Sequence, residues 1–469
     1  MTLQFYNSLS KRKEVFTTLQ DHHVRMYTCG PTVYNFAHVG NFRAYLFEDV
    51  LRRTLEYAGY NMTQVMNLTD VDDKTIRGSR QKGVPLKTFT QPFVDAFFED
   101  LKALNVEPAE VYPAATDHVP EMIAIIEKLM AKGLAYQSDD GSVYFKVSAF
   151  PEYGKLAHLD MTGLKAGARV AQDEYEKESV GDFALWKAWD EQDGDVVWDS
   201  PWGRGRPGWH IECSAMGMKY LGETFDLHTG GIDNLFPHHE NELAQSTGAT
   251  GKPFVTTWMH CAHLRVNGEK MSKSLGNFYT LRDVLAKGYS GREVRYVLIN
   301  GHYRQPLNFS FEAAEAARTS LARVDEFADC IAETAKGATA GEMPAWAAKA
   351  QNDFDAALSD DLNVPEAFAA LFMLVREGNS AMQANALTPP AAAAVSATLA
   401  NFDRVLGVVS FGRRATGNAL PPDVKNLLDA RLAARAAKQW AESDRLRDQI
   451  AALGWEVRDG KDGQKVKKL

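Results

Sequence analysis

The sequence predicts an α/β fold built on a parallel sheet, followed by an all-α bundle and a small C-terminal domain. Three observations predict it. A strand–helix–strand unit occupies residues 24–68, alanine-rich stretches with helical period follow residue 310, and a break at 411–422 (FGRRATGNALPP) separates them from the C-terminal segment. At 469 residues the chain is too long for one compact domain and fits about two to four.

Residues 24–29 (VRMYTC) read as a buried strand, followed by the turn residues Gly30 and Pro31. From His38, Val39, Phe42, Leu46, Val50 and Leu51 recur at helical spacing, and Gly59 marks the stop. The apolar run from Met62 to Leu68 completes a unit that implies parallel strands with a right-handed crossover. In such sheets ligands bind where strands end and helices begin, and Cys29 and His38 both fall there. A helix is expected over 120–132, with a hairpin of Leu134–Tyr136 and Ser142–Val147 about Asp139-Asp140-Gly141. The segment 181–212 holds Trp186, Trp189, Trp198, Trp202 and Trp209 and reads as an ordered loop region. Alanine-rich stretches at 312–324, 345–357 and 391–405 predict the bundle, and one or two helices with a basic tail are expected from about 423.

Composition narrows the class. Apolar residues at 45% and charged residues at 24% are ordinary for a soluble globular protein, and no stretch reaches the roughly 18–20 apolar residues of a membrane helix. The N-terminus lacks a secretory apolar core, so cytoplasm is expected. Four cysteines (Cys29, Cys213, Cys261, Cys330) do not make a disulfide framework in so long a chain. The net charge of −9 opposes nucleic-acid binding unless basic residues cluster. Candidate clusters are Arg413-Arg414, Arg431 to Lys438 and the terminal KDGQKVKKL; a solvated surface explains each one equally well.

Three elements carry chemistry. Lys270-Met271-Ser272-Lys273-Ser274 lies between Asn267-Gly268 and Leu275-Gly276-Asn277. A glycine-flanked loop with two lysines can close on a triphosphate and offset the charge that develops as pyrophosphate leaves; Lys273 is the lysine expected to act. His38-Val39-Gly40-Asn41 opens a helix just after a strand, where backbone N–H groups and the helix dipole favour phosphate. Gly40 lets a nucleotide approach the backbone, and His38 can donate to the α-phosphate. Alone, His38 reads as a helix cap; beside the lysine loop it reads as an ATP-site residue. The third element is a set of metal-ligand types: Cys213 in Gly208-Trp209-His210-Ile211-Glu212-Cys213, and His238 and Glu242 in Phe236-Pro237-His238-His239-Glu240-Asn241-Glu242. Proline starts a helix there, and residues four apart share a face. With Cys29 these make a two-sulfur, one-imidazole, one-carboxylate set suited to zinc. Spacing alone does not fix that set, since His210 and His239 compete as ligands.

The pair HVGN and KMSKS resembles the HIGH and KMSKS signatures of class I aminoacyl-tRNA synthetases. The strings CGPTVYNFAHVGN, NLTDVDDKTI, GRPGWHIECSAM, FPHHENELAQS and GEKMSKSLGNF resemble cysteinyl-tRNA synthetases specifically, and the likeness runs from Leu3 to the helix AAKQWAESDRLRDQI. The resemblance implies a Rossmann-like catalytic domain over 1–310 with an inserted acceptor-binding region at about 110–200. It further implies a helical bundle over 311–411, a linker over 412–422 and an anticodon-binding domain over 423–469. The implied activity is ATP-dependent formation of cysteinyl-adenylate from L-cysteine with Mg2+, then transfer to tRNA(Cys), by a monomer. One Zn2+ per chain is implied to bind the substrate thiolate through Cys29, Cys213, His238 and Glu242, which selects His238 over His239. His38, Asn41, Lys270 and Lys273 match catalytic positions; Gly40, Met271, Ser272 and Ser274 complete the implied ATP set. Trp209, His228 and Thr69 match the amino-acid pocket, and Arg435, Trp440, Asp444 and Asp459 match anticodon contacts.

This chain departs from the pattern at Asn41, where the signature ends in histidine, and at Thr229, where the family often has glycine. Its tail also lacks the tryptophan often found near the family's C-terminus. Two rival readings share the motifs. One is a cysteine–glucosaminyl-inositol ligase of mycothiol synthesis, without a full anticodon domain. The other is a non-catalytic tRNA-binding paralogue, in which the lysine loop or metal ligands are usually lost. The WAESDRLRD helix, the basic tail and His228 argue against the first; the intact motifs argue against the second.

Overall fold

The computed structural model describes residues 1–159, 169–170, 181–272, 276–409, 422–460 and 463–468. It divides into two compact units, Met1–Val409 and Ser410–Leu469. An antiparallel hairpin, β1 (Gln4–Asn7) and β2 (Arg12–Val15), precedes β3 (His23–Thr28), α1 (Val39–Tyr57) and β4 (Asn61–Met66). β3 and β4 pair in parallel from His23↔Asn61 to Thr28↔Met66, as the strand–helix–strand reading requires. Val39, Phe42, Leu46 and Val50 of α1 are buried, the stripe its 3.6-residue period marks.

Next come α2 (Asp73–Lys82), α3 (Leu86–Ala103) and α4 (Val119–Ala131). They lead into a mixed sheet of β5 (Ala135–Gln137), β6 (Val143–Phe145), β7 (Arg169–Val170), β8 (Asp182–Ala188) and β9 (Gly205–Pro207), inserted between strands of the main sheet. The chain returns through α5 (Trp209–Leu221), β10 (Phe225–Gly231), α6 (Glu240–Thr250) and β11 (Val255–Cys261). The main sheet has the order β11-β10-β3-β4, and all three pairings are parallel.

β12 (Leu264–Val266), β13 (Glu269–Lys270), α7 (Leu281–Ala286), α8 (Gly291–Ile299) and β14 (Leu307–Phe309) follow, with the strands ordered β13-β12-β14. The bundle is α9 (Phe311–Thr334), α10 (Ala345–Ser359), α11 (Val364–Gln383) and α12 (Pro389–Leu406). Its apolar faces join the core beneath α1 and α8. Fully buried Arg295 on α8 reaches Asp49 on α1 at 2.6 Å and donates to the carbonyl oxygens of Leu406 and Leu104, so neither the charge nor the helix end is left unpaired. No helix among the described residues is long and apolar enough to cross a membrane.

The second unit holds α13 (Pro422–Ala436), α14 (Trp440–Ala452) and an antiparallel hairpin, β15 (Trp455–Gly460) and β16 (Gly463–Lys468). Trp455 and Val457 pack with Val424, Leu428 and Ile450.

Four expectations change. The tryptophan-rich segment is not only loop: it contains β8 and β9, and β8 is buried from Asp182 to Trp186, so the alternation that marks a half-exposed strand is missing. The terminal tail is a strand, masked in sequence by its lysines. The helix read from AAKQW onward is interrupted, because Lys438 adopts φ 59° between α13 and α14. Arg431, offered as part of a basic surface cluster, is buried and donates to Gln464. The expected linker 412–422 lies, apart from Pro422, outside the described residues, as do Arg413 and Arg414.

Candidate active site

The carboxyl ends of β3, β4 and β10 form one edge of the main sheet, and two clusters of side chains occupy it. The first is a buried donor set. Cys29 follows β3, Cys213 lies in α5, and His238 and Glu242 project from one face of the helical turn that runs from Pro237 into α6. Their ligand atoms all lie within 4.8 Å of one another. Exposure is 8% for Cys29 and 2% or less for the others, so water does not solvate these charges. His238 Nε2 is 3.4 Å from Cys213 Sγ and 3.0 Å from Glu242 Oε1.

Neighbours orient this set. His228 on β10 bonds Glu242 Oε2 at 2.9 Å. Among the described residues Glu242 Oε1 has no hydrogen-bond partner, although His238 Nε2 is close: the two atoms are near each other without the alignment of a hydrogen bond. A buried, unbonded carboxylate oxygen beside an imidazole nitrogen and two sulfurs fits a cation, and the mixed sulfur–nitrogen–oxygen donors fit zinc. The other ring nitrogen of His238, Nδ1, meets His210 Nδ1 at 2.8 Å, and the Trp209 ring stacks on His238 at 4.3 Å.

Electrostatics point the same way. Burial opposes a charged His238, yet Glu242 and Cys213 hold its imidazolium up to about 10. Burial also opposes the Glu242 carboxylate, but His228 and His238 pull it down to about 2. Cys213 resists burial through the Cys29 hydrogen bond and His238 and falls to about 6, whereas burial and the Cys213 thiolate push Cys29 up. The site draws positive charge to its centre.

Sequence reasoning missed a second tetrad. Cys29, His228, His239 and Glu242 also converge within 4.8 Å. His239 Nε2 lies 3.2 Å from Cys29 Sγ, and its Nδ1 meets His260 Nε2 at 2.8 Å. The adjacent His238-His239 pair was the available signal; the fold turns the two rings to different sulfurs. Thr69 is buried, with its hydroxyl donating to Glu212 at 3.0 Å and accepting from Asn67 at 3.1 Å. Thr229 donates its hydroxyl to the buried carboxyl of Glu48 at 3.1 Å.

The second cluster is the α1 N-terminus. His38 is the N-cap: its Nδ1 accepts from Asn41 N–H at 3.2 Å, and Asn41 Oδ1 accepts from His38 N–H at 3.0 Å. Because a backbone N–H can only donate, the proton of neutral His38 sits on Nε2. Burial lowers its pKa to about 4, with Asp233 opposing, so the ring is neutral at neutral pH. Asn41 therefore caps the helix and sets the tautomer. His38 also bridges to Thr280, and a Cβ on Gly40 would come within 2.9 Å of the Met271 methyl, so the lysine string crosses this helix end. Lys270 is exposed at the end of β13, and Ser272 N–H donates to Asn277. Lys273 and Ser274 lie outside the described residues.

In the second unit Trp440 is 57% exposed, so it is not helix core. The Arg435 guanidinium lies 5.8 Å from its ring centroid, and Asp444, one turn on, pairs with Arg447 at 3.5 Å. Asp459 falls in β15, and its side chain lies outside the described residues.

Comparison with known proteins agrees with this frame. Residues 15–319 match the family model of the tRNA synthetases class I (C) catalytic domain. Residues 353–410 match a DALR domain, and 417–466 match the cysteinyl-tRNA ligase anticodon binding domain. The fold is shared with the methionyl-tRNA synthetase of Mycobacterium tuberculosis in complex with methionyl-adenylate (TM-score 0.58, 17% identity, 82% of this chain and 90% of that one). It is shared too with a leucyl enzyme, agnB2 LeuRS of Agrobacterium radiobacter, solved in a ternary complex (TM-score 0.60, 13% identity, 82% and 83%). The cysteine--tRNA ligase of Protochlamydia amoebophila is 50% identical over 99% of this chain and 98% of its own length. That of Chlamydia pneumoniae is 48% identical over 100% and 98%. The chain belongs to the class I aminoacyl-tRNA synthetases and, within them, to the cysteine--tRNA ligases.

Proposed function

We propose that Cys29, Cys213, His238 and Glu242 hold one Zn2+ that binds the substrate cysteine as its thiolate, next to an ATP site formed by the α1 N-terminus and the lysine string. The observation that carries this reading is the buried tetrad at the carboxyl edge of a class I sheet. When bound, zinc lowers the substrate thiol's pKa and favours sulfur over a neutral hydroxyl. Such selection matters because an apolar pocket separates near-isosteres by only about 1–3 kcal/mol.

The chain's own residues do the rest. Trp209, stacked on His238, walls the amino-acid pocket, and His228 fixes the Glu242 carboxylate. Thr69 supports the pocket from behind by bonding Glu212. Neutral His38 donates its Nε2 proton as a hydrogen bond to an α-phosphate oxygen while the cysteine carboxylate attacks that phosphorus. The positive end of the α1 dipole and the close backbone at Gly40 receive the nucleotide. Lys270 and Lys273, with Met271, Ser272 and Ser274 of the same loop, offset charge on the departing pyrophosphate, which leaves with Mg2+. A ribose hydroxyl of the terminal tRNA(Cys) adenosine then attacks the acyl carbonyl, releasing AMP. Trp440 and Arg435 offer a ring and a cation to unpaired anticodon bases, with Asp444 and Asp459 as edge acceptors. The enzyme acts as a cytoplasmic monomer.

The test is cysteine-dependent ATP–pyrophosphate exchange with zinc analysis of the same protein. Exchange with cysteine, and far less with serine, is expected. Zinc-loaded protein without cysteine-dependent exchange would refute the reading.

A further inference from the structure

Glu48 is a buried acid that no step above uses. It lies on α1, about three turns along the helix from His38, and is fully buried. Its neighbour Asp49 is buried too, but Asp49 meets Arg53 at 2.8 Å and Arg295 at 2.6 Å, so that charge is paired. Glu48 is placed differently. Among the described residues its Oε1 accepts one hydrogen bond, from the Thr229 hydroxyl at 3.1 Å, and its Oε2 has no partner. Burial pushes its carboxyl well above the ordinary range, against the pull of the Thr229 bond, and so favours the neutral acid. A half-satisfied buried carboxyl lowers stability. An apolar side chain of similar size would avoid that loss, so packing alone does not account for an acid here.

Thr229 stands near the carboxyl end of β10, between His228 and Gly230, and is itself buried. Side chains alternate along a strand: His228 turns to Glu242, and Thr229 turns to α1. The Thr229 carbonyl accepts from the Cys29 N–H at 3.3 Å. One hydrogen bond from α1 therefore reaches the strand end that carries His228 and holds the backbone of Cys29. The start of the same helix carries His38. Thr229 is also where this chain departs from the glycine often found in the family, and glycine has no hydroxyl to offer Glu48.

We infer that Glu48, through Thr229, is a positioning residue for adenylate formation, bracing the helix that receives ATP against the strand end that holds cysteine. The inference rests on the proposed function. The carboxylate of a cysteine anchored by its sulfur must meet the α-phosphate in line, and a misplacement of about 1 Å can lower the rate about 10²-fold. A brace of this kind sets the approach of two bound substrates and leaves the binding of each alone.

The experiment measures cysteine-dependent exchange kinetics, zinc content and thermal stability of the full chain for three variants. Thr229→Val nearly keeps the side chain's shape and removes its hydroxyl. Its kcat should fall about tenfold, with KM for cysteine and for ATP within about twofold of wild type and zinc retained. Glu48→Gln keeps an oxygen that accepts from Thr229 and matches the shape of a neutral acid, so it should keep most of the wild-type kcat. The double variant Glu48→Met/Thr229→Val leaves neither side chain with an unpaired polar atom. It should melt no lower than wild type and still show the loss of kcat, which separates positioning from folding. An unchanged kcat in Thr229→Val, a loss carried by KM or by zinc, an equal loss in Glu48→Gln, or a loss that tracks melting temperature would overturn the inference. Wild-type protein that is zinc-loaded but shows no cysteine-dependent exchange would instead overturn the proposed function on which it rests.

Discussion

The two ends of the sheet edge are built by opposite means. At the end proposed to hold metal, four donors come from three distant segments and are buried within 4.8 Å of one another, and Glu242 is held by its neighbour His228. At the end proposed to bind the nucleotide, a helix cap fixes one imidazole, while Lys270 stands exposed on the short strand β13. Choosing between a thiol and a hydroxyl needs donors set in place beforehand, because the two substrates differ by a single atom. Offsetting charge on a departing pyrophosphate needs a group that can arrive and leave. The contrast predicts that damage at one end changes recognition of cysteine, and damage at the other changes rate.

The largest effect should come from Glu242→Ala. Removing one of four ligands and leaving two thiols and an imidazole should deplete zinc and raise the KM for cysteine at least about hundredfold, with ATP affinity nearly intact. Metal analysis and exchange kinetics read both quantities, and equal losses for cysteine and ATP would erase the contrast. Next is Lys273→Ala, expected to lower kcat for adenylate formation by about 10²–10³ with little change in KM for cysteine. A shift confined to KM would move this lysine from rate to ground-state binding. His228→Asn should weaken zinc by about 10–100-fold without removing a ligand, measured by competition with a chelator.

The smallest effect concerns pH. His38 titrates at about 4 in the folded chain, below its ordinary 6.5, because burial disfavours the imidazolium. The unfolded chain therefore binds more protons between those values, and stability should rise with pH across that window. His38→Gln should flatten this part of the melting-temperature profile, and wild-type exchange should show no step from His38 between about pH 5 and 8. A step near 6.5 that vanishes in the variant would mean that His38 is solvated.

Much of the frame was legible in sequence because it depends on period. The α1 stripe and the β3–α1–β4 unit follow from spacing alone, as does the shared face of His238 and Glu242. Two strands were not legible: β8, buried on both faces from Asp182 to Trp186, shows no alternation, and β16 carries too few apolar residues to signal a strand. Membership of the proposed metal set was harder still. No spacing relates Cys29 to Cys213, and only the fold separates His238, beside Cys213, from His239, beside Cys29. Asn41 looked like a defect in a signature; its side-chain oxygen instead closes the cap that leaves His38 with its proton on Nε2. Trp440 could not be assigned to core or surface until its exposure was known.

The central claim is that the tetrad holds zinc and that the zinc takes the substrate's sulfur. X-ray absorption at the zinc edge, with and without cysteine, tests it most directly. Two sulfur neighbours, from Cys29 and Cys213, should become three on adding cysteine and stay at two with serine. A sulfur count that does not change with cysteine, in zinc-loaded protein that still performs exchange, would contradict it.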